Sequence, residues 1–282
     1  MKTKIALEWL SGCEGCEVAL LDSFEVILGK IREGKVEIVY APILLDAEDY
    51  ESADIAIVTG SLRTEADERR LRRARERSDC LLAFGSCACF GGIHGLADKE
   101  GIKGDFKGGQ GLRLRDSVDP VWRVAKVDLA IPGCPPPEKN VKKFLENLLL
   151  PVDSVQGKTV CDECPRKRSG ERKIEKFRRG LAGVDSERCF LDQGIPCIGF
   201  ATSSGCGALC PSSNYPCYGC MGFSGSIGEQ DLGIARAISA LASGFENEKA
   251  SETLADPVGF FMRFTYPCFS LKGAKKNGSK GR

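Results

Sequence analysis

The spacing of its cysteines constrains this chain more than any other feature. There are 15 in 282 residues, and Cys161, Cys164, Cys189, Cys197, Cys206, Cys210, Cys217 and Cys220 all fall within one stretch of loop-forming sequence. Thiols at this frequency serve disulfides or metals. The density is below that of a small disulfide scaffold, and the first 150 residues have the pattern of an ordinary α/β unit that needs no staples. The start, Met1-Lys2-Thr3-Lys4, runs straight into an apolar strand, without a cleavable apolar segment or a twin-arginine stretch. No run of 18 apolar residues is present, so no membrane span is expected. These features predict a cytoplasmic chain, where thiols stay reduced, and direct the cysteines to metal. With 42% hydrophobic and 28% charged residues and a net charge of +1, the chain can build one large core or two modest ones. It carries no general signal for nucleic acid or a membrane surface.

Hydrophobic periodicity organises the first 150 residues as alternating strands and helices. Strands are expected at 5–10, 36–40, 55–58, 80–84 and 127–131. A helix is expected over about 17–31, with Val18, Leu21, Leu28 and Ile31 on one face. A second, capped by Thr64 with Asp67 completing a capping box, runs to about residue 77, and a third covers about 137–149. Continuous apolar strands between helices predict an α/β fold with a doubly wound, flavodoxin-like parallel sheet. From residue 151 periodicity fades. Residues 151–225 are rich in glycine and proline, and such a segment is not expected to bury enough apolar surface to order itself. Metal centres would supply the missing cross-links. A helix returns over about 230–242, and residues 271–282 form a basic, flexible tail.

In an open parallel sheet, sites form beyond the carboxyl ends of the strands. Cys13 and Cys16, in Gly12-Cys13-Glu14-Gly15-Cys16, follow the first strand. Cys87, in Gly85-Ser86-Cys87, follows the 80–84 strand. Cys134, in Pro132-Gly133-Cys134-Pro135-Pro136, follows the last. Parallel strands bring all of these loops to one edge, where four thiolates can converge. The adjacent glycines let the backbone approach an inorganic core and offer it N–H groups. Four thiolates suit zinc or an iron–sulfur cluster. One close pair plus two distant singles is less typical of zinc, which favours two compact pairs. The eight later cysteines make two further sets of four. Nearest neighbours group them as Cys161, Cys164, Cys189, Cys197 and Cys206, Cys210, Cys217, Cys220. A mixed assignment across Cys197 and Cys206 stays open, since neighbouring clusters can share a motif.

The motifs Cys13-Glu14-Gly15-Cys16, Gly85-Ser86-Cys87-Ala88-Cys89-Phe90-Gly91-Gly92-Ile93 and Pro132-Gly133-Cys134-Pro135-Pro136 resemble the small subunit of [NiFe] hydrogenases and the related iron–sulfur subunit of respiratory complex I. The complex I subunit has adjacent cysteines in its first motif and stops after one cluster. This chain continues with Cys161–Cys164-Pro165-Arg166, Cys197-Ile198-Gly199-Phe200-Ala201-Thr202, Cys206-Gly207-Ala208-Leu209-Cys210-Pro211 and Cys217–Cys220. Over nearly its whole length it therefore looks like the small subunit of the archaeal F420-non-reducing (methyl-viologen-reducing) hydrogenases.

The resemblance implies a flavodoxin-like domain (residues 1–150) and an irregular iron–sulfur domain (residues 151–270), with three [4Fe–4S] clusters. Cys13, Cys16, Cys87 and Cys134 would hold the proximal cluster, facing a large subunit. Cys206, Cys210, Cys217 and Cys220 would hold the medial cluster. Cys161, Cys164, Cys189 and Cys197 would hold the distal one. A small iron–sulfur (delta) subunit and heterodisulfide reductase are the implied further partners. Membrane-bound relatives use histidine where Cys161 stands and proline for one medial cysteine, so all-cysteine ligation here should lower both potentials. No catalytic residue is expected in this chain. The competing expectations are the iron–sulfur subunit of a complex I-like oxidoreductase and a zinc-stabilised module without redox function.

Outside these sets, Cys80 and Cys268 are expected in the core, and Cys89 competes with Cys87 for the first cluster. The only histidine, His94, is expected to be structural. The arginines of 69–77 and the basic run 166–179 are expected to face solvent, the latter with an acidic partner as the alternative.

Overall fold

The computed structural model describes residues 2–99, 113–148, 157–169, 174–246 and 249–269. Its strands are β1 (Thr3–Trp9), β2 (Val36–Tyr40), β3 (Ala53–Thr59), β4 (Leu62–Thr64), β5 (Ser78–Phe84), β6 (Leu114–Asp119) and β7 (Leu129–Ile131). The helices that matter here are α1 (Gly15–Asp22), α2 (Phe24–Arg32), α3 (Glu65–Glu76), α4 (Ser86–Phe90), α5 (Glu138–Asn147), α6 (Val160–Glu163), α7 (Leu209–Ser212) and α8 (Gln230–Ala242).

Five strands form a parallel sheet in the order β2-β1-β3-β5-β7, the flavodoxin-like order. Successive side chains of a strand point to opposite faces, and both faces of this sheet are covered. Ile55, Ile57, Leu82 and Phe84 pack with Leu20 of α1, Ile27 of α2 and Val141, Phe144 and Leu145 of α5. Ala56, Val58, Leu81 and Ala83 pack on the other side with Leu71 and Ala74 of α3 and with Ala88 and Phe90 of α4. Burial on both faces is why β3 and β5 read as unbroken apolar runs. Each fully buried Ile, Leu or Phe contributes about 1.5–3 kcal/mol.

Thr64 caps α3 as expected, its hydroxyl accepting from the Asp67 N–H at 3.0 Å while Asp67 accepts from the Thr64 N–H at 2.7 Å. The expected 17–31 helix is instead two, α1 and α2, broken at Ser23 (φ −102°). The break resets the helical phase. Val18 and Leu28 are 53% and 39% exposed, and Leu20 and Ile27 pack on the sheet instead. The arginines of α3 do not simply face solvent. Arg73 reaches buried Glu8 at 2.6 Å, Arg75 pairs with Asp128, and Arg77 meets Asp49 at 2.5 Å. The short antiparallel pair β4–β6 joins segments about fifty residues apart and leaves no local signature. Cys80, expected in the core, is half-buried.

The second half has an apolar core of its own. Val160, Phe190, Ile195, Ile198 and Phe223 pack with Ile234, Ala237 and Leu241 of α8 and with Phe260. The segment 151–225, not expected to order itself, shares this core with residues from 230–269. A final segment folds back on the loop after β5 and on Arg123. Pro267 lies against Gly91 and Gly95, the Gly92 N–H donates to Phe264 O at 3.2 Å, and Arg123 donates to Cys268 O at 2.9 Å. Among the described residues no helix is long and apolar enough to cross a membrane. The expected division near residue 150 and the tail 271–282 lie outside the described residues.

Candidate metal centres

All 15 cysteines are free of disulfides. Cys13 lies in the β1–α1 loop, Cys16 in the first turn of α1, Cys87 in α4 directly after β5, and Cys134 in the loop after β7. The topology thus delivers all four to one sheet edge. Burial pushes the Cys16 thiol well up, and Cys87, Cys134 and Cys13 add to the rise. Cys87 is pushed up to about 12 by burial and then by Cys134 and Cys13. Cys134 is raised by burial and by Cys13. Every pair of the four therefore interacts. Two glycines make the approach possible. Gly85 (φ 90°) faces Cys16, whose sulfur an added Cβ would overlap. A Cβ on Gly92 (φ 77°) would stand 2.5 Å from Cys87 Sγ. Cys13 and Cys134 are exposed while Cys16 and Cys87 are half-buried, so the group opens outward on one side.

Cys89, the alternative to Cys87, belongs elsewhere. Its side chain is fully buried in the core beneath the sheet, and its thiol donates to Ala83 O at 3.4 Å. Cys268 donates to Phe90 O at 3.4 Å. His94, half-buried, sits with Nδ1 4.0 Å from Cys87 Sγ and Nε2 2.5 Å from Ser61 Oγ, so it adjoins the group as a neighbour of Cys87. Burial, then Arg63, holds its pKa below the usual value.

The remaining eight thiols form two groups. Cys206 interacts with Cys210, Cys217 with Cys220 and Cys206, and Cys220 with Cys206 and Cys210. These four, with Cys134, line a cavity of about 450 Å³ whose apolar walls include Val160, Leu209, Met221 and Phe264. Cys161 interacts with Cys197, Cys189 and Cys164, and Cys197 with Cys189. Burial raises Cys161, Cys197, Cys217 and Cys220 each to about 12. Four thiolates in such surroundings need a compensating cation, which an iron core supplies.

The groups touch in a fixed order. Cys134 and Cys220 line the same cavity, and Ser86 Oγ, beside Cys87, donates to Cys220 O at 2.6 Å. The Cys217 N–H donates to Cys197 Sγ at 3.3 Å. The 206–220 group therefore lies between the other two, although it comes last in sequence. Among the described residues, no three His, Cys, Asp or Glu side chains close tightly enough to hold a single metal ion.

Several supporting residues have partners that the motifs do not reveal. Glu163, inside the Cys161–Cys164 loop, accepts N–H bonds from Gly205 at 3.0 Å and Gly207 at 2.9 Å, tying the two later groups together. Glu17, buried beside Cys16, accepts from the Thr59 hydroxyl. Arg166, expected on a solvated face, is 7% exposed.

Residues 13–148 match the family described as NADH ubiquinone oxidoreductase, 20 Kd subunit. The chain is 38% identical to a vhu subunit of the F420-non-reducing hydrogenase of Methanocaldococcus jannaschii, over 95% of this chain and 96% of that one. It is 31% identical to the iron-sulfur subunit of the F420-non-reducing hydrogenase of Archaeoglobus profundus, covering 98% of each. The fold is similar to that in the recombinant [NiFeSe] hydrogenase of Desulfovibrio vulgaris Hildenborough, with a TM-score of 0.52 at 17% identity, over 78% of this chain and 93% of that one. Near-complete coverage of relatives at this identity means that the chain belongs to the iron–sulfur subunit family of the F420-non-reducing hydrogenases, the small-subunit type of the [NiFe] enzymes.

Proposed function

We propose that this chain is the electron-relay subunit of a cytoplasmic [NiFe] hydrogenase, holding three [4Fe–4S] clusters and serving the reaction H₂ ⇌ 2H⁺ + 2e⁻. In this reading residues 1–150 hold the proximal cluster through Cys13, Cys16, Cys87 and Cys134. Residues 151–270 hold the medial cluster through Cys206, Cys210, Cys217 and Cys220, and the distal one through Cys161, Cys164, Cys189 and Cys197. The carrying observation is that twelve thiols fall in three groups of four that adjoin one another, through the cavity shared by Cys134 and Cys220, the Ser86–Cys220 bond and the Cys217–Cys197 bond. Such clusters, when bound, supply one-electron transfer. The chain's own residues fix the ligands, donate N–H bonds to their sulfurs and exclude water with apolar walls.

The exposed side of the first group, where Cys13 and Cys134 reach the surface, suits docking of the large subunit that would carry nickel and iron, as do Trp9, Val18 and Ile93, exposed apolar residues close in sequence to Cys13, Cys16 and Cys87. A small delta subunit and a heterodisulfide reductase complex are the proposed acceptors, supported by the family resemblance. A single zinc ion holds its thiolates at about 2.3 Å. A cavity of about 450 Å³ among the 206–220 thiols suits a larger core. The complex I-like reading accounts only for residues 13–148 and leaves eight cysteines without a role.

Iron and acid-labile sulfide in anaerobically purified complex test the proposal. About twelve of each per chain are expected from three four-iron clusters. A value near four would leave one cluster and defeat the relay.

A further inference from the structure

Arg166 follows the Cys161–Cys164 loop and carries its guanidinium into the interior, 7% exposed. Nη1 donates to the main-chain oxygens of Asp185 and Arg188, both at 2.8 Å. Nε donates to Pro211 O at 3.2 Å, and Nη2 to Asn214 Oδ1 at 2.5 Å. The guanidinium carbon stands 3.8 Å from the Phe190 ring centroid. One side chain thus binds the segment after Cys164, the segment leading into Cys189 and the segment following Cys210. These belong to the two later thiol groups.

The second property of the site is its charge. All four acceptors are neutral, and no described carboxylate pairs with Arg166. A buried cation needs compensating negative charge close by. The groups in this neighbourhood that would carry it are the thiolate-bound clusters, which gain a further negative charge on reduction. A fixed cation stabilises the more negative, reduced state, and local charge is one of the levers that set cluster potentials.

We propose that Arg166 is a positioning residue for the relay: it holds the distal and medial cysteine segments in register, and its buried charge, one to four residues along the chain from Cys164, Cys189 and Cys210 at its contacts, raises the potentials of the clusters those segments hold. The inference rests on the three-cluster reading, which wild-type iron content tests separately.

The experiment compares wild type with Arg166→Gln, Arg166→Lys and Asn214→Asp in the intact complex. The readouts are iron content, EPR-monitored redox titration and the rate of bleaching by a chelator. Asn214 has a left-handed backbone (φ 62°) that aspartate tolerates. Asn214→Asp keeps the hydrogen bond and adds the missing carboxylate. With about twelve irons retained, it should lower the reduced-to-oxidised ratio of the distal or medial cluster at fixed potential at least threefold. Arg166→Gln should lower that ratio about tenfold, which is about 59 mV for one electron. Arg166→Lys keeps the charge but loses the fork. Its ratio should stay within about twofold of wild type while chelator bleaching accelerates at least threefold. Unchanged midpoints in Asn214→Asp would overturn the charge role. Wild-type chelator resistance in Arg166→Lys would overturn the positioning role. A wild-type chain with about four irons would instead remove the relay reading beneath both.

Discussion

A side chain as small as a methyl group decides whether the first thiol group can form. Gly85 occupies a left-handed conformation and leaves room only for the Cys16 sulfur. Gly85→Ala would add backbone strain of about 1–3 kcal/mol and an overlap with that sulfur. Its iron content should fall from about twelve to about eight per chain, with the proximal EPR signal missing. Cys89→Ala should retain all three clusters and cost about 1 kcal/mol of stability, measured by iron assay and thermal unfolding, because Cys89 is core. Burial also gives the metal-free chain a pH dependence. Cys161, Cys197 and Cys217 have folded pKa values near 12 against the ordinary 9.0. Their contribution is full below pH 9, where folded and unfolded thiols alike are protonated. It is lost as pH climbs toward 12, because the unfolded thiols ionise first. Metal-free protein should therefore unfold more readily across that alkaline window in circular dichroism. The cysteines themselves were legible in sequence because thiols are rare. The roles of Glu163 and Arg166 were not, since neither the motif that contains them nor the basic run that follows shows which distant groups they meet.

At the level of elements, strands buried on both faces announce themselves as apolar runs, and the Thr64 cap as a spacing rule. The capping box predicts that Thr64→Ala costs about 1 kcal/mol, readable by chemical unfolding. Leu71→Ala, which empties a fully buried position under α3, should cost about 2–5 kcal/mol. Other features depend on distant partners and leave no local trace. The break at Ser23 shifts α2 out of phase with α1, and β4 finds β6 only after the chain has come back across the sheet. In the loop-rich half the core residues come mostly from aperiodic loops, so no local pattern announces them, and α8 and Phe260 complete the core from farther along the chain.

Across the whole molecule, sequence order and spatial order diverge. The thiols at 206–220 intervene between those at 13–134 and those at 161–197, so spacing alone could group the cysteines but could not order them. The clamp of the last segment on the loop after β5 predicts a long-range effect. A chain ended at residue 265 loses Pro267 from Gly91 and Gly95, and Cys268 from Arg123 and Phe90. It should give up its proximal iron first under chelation, settling near eight atoms per chain. The same clamp bears on biosynthesis. The loop around Cys87 gains its final support only when residue 267 has followed, some 180 residues later. The support of this loop is thus completed by residues made much later, and any loading of its thiols with iron would be secured only after they have joined it.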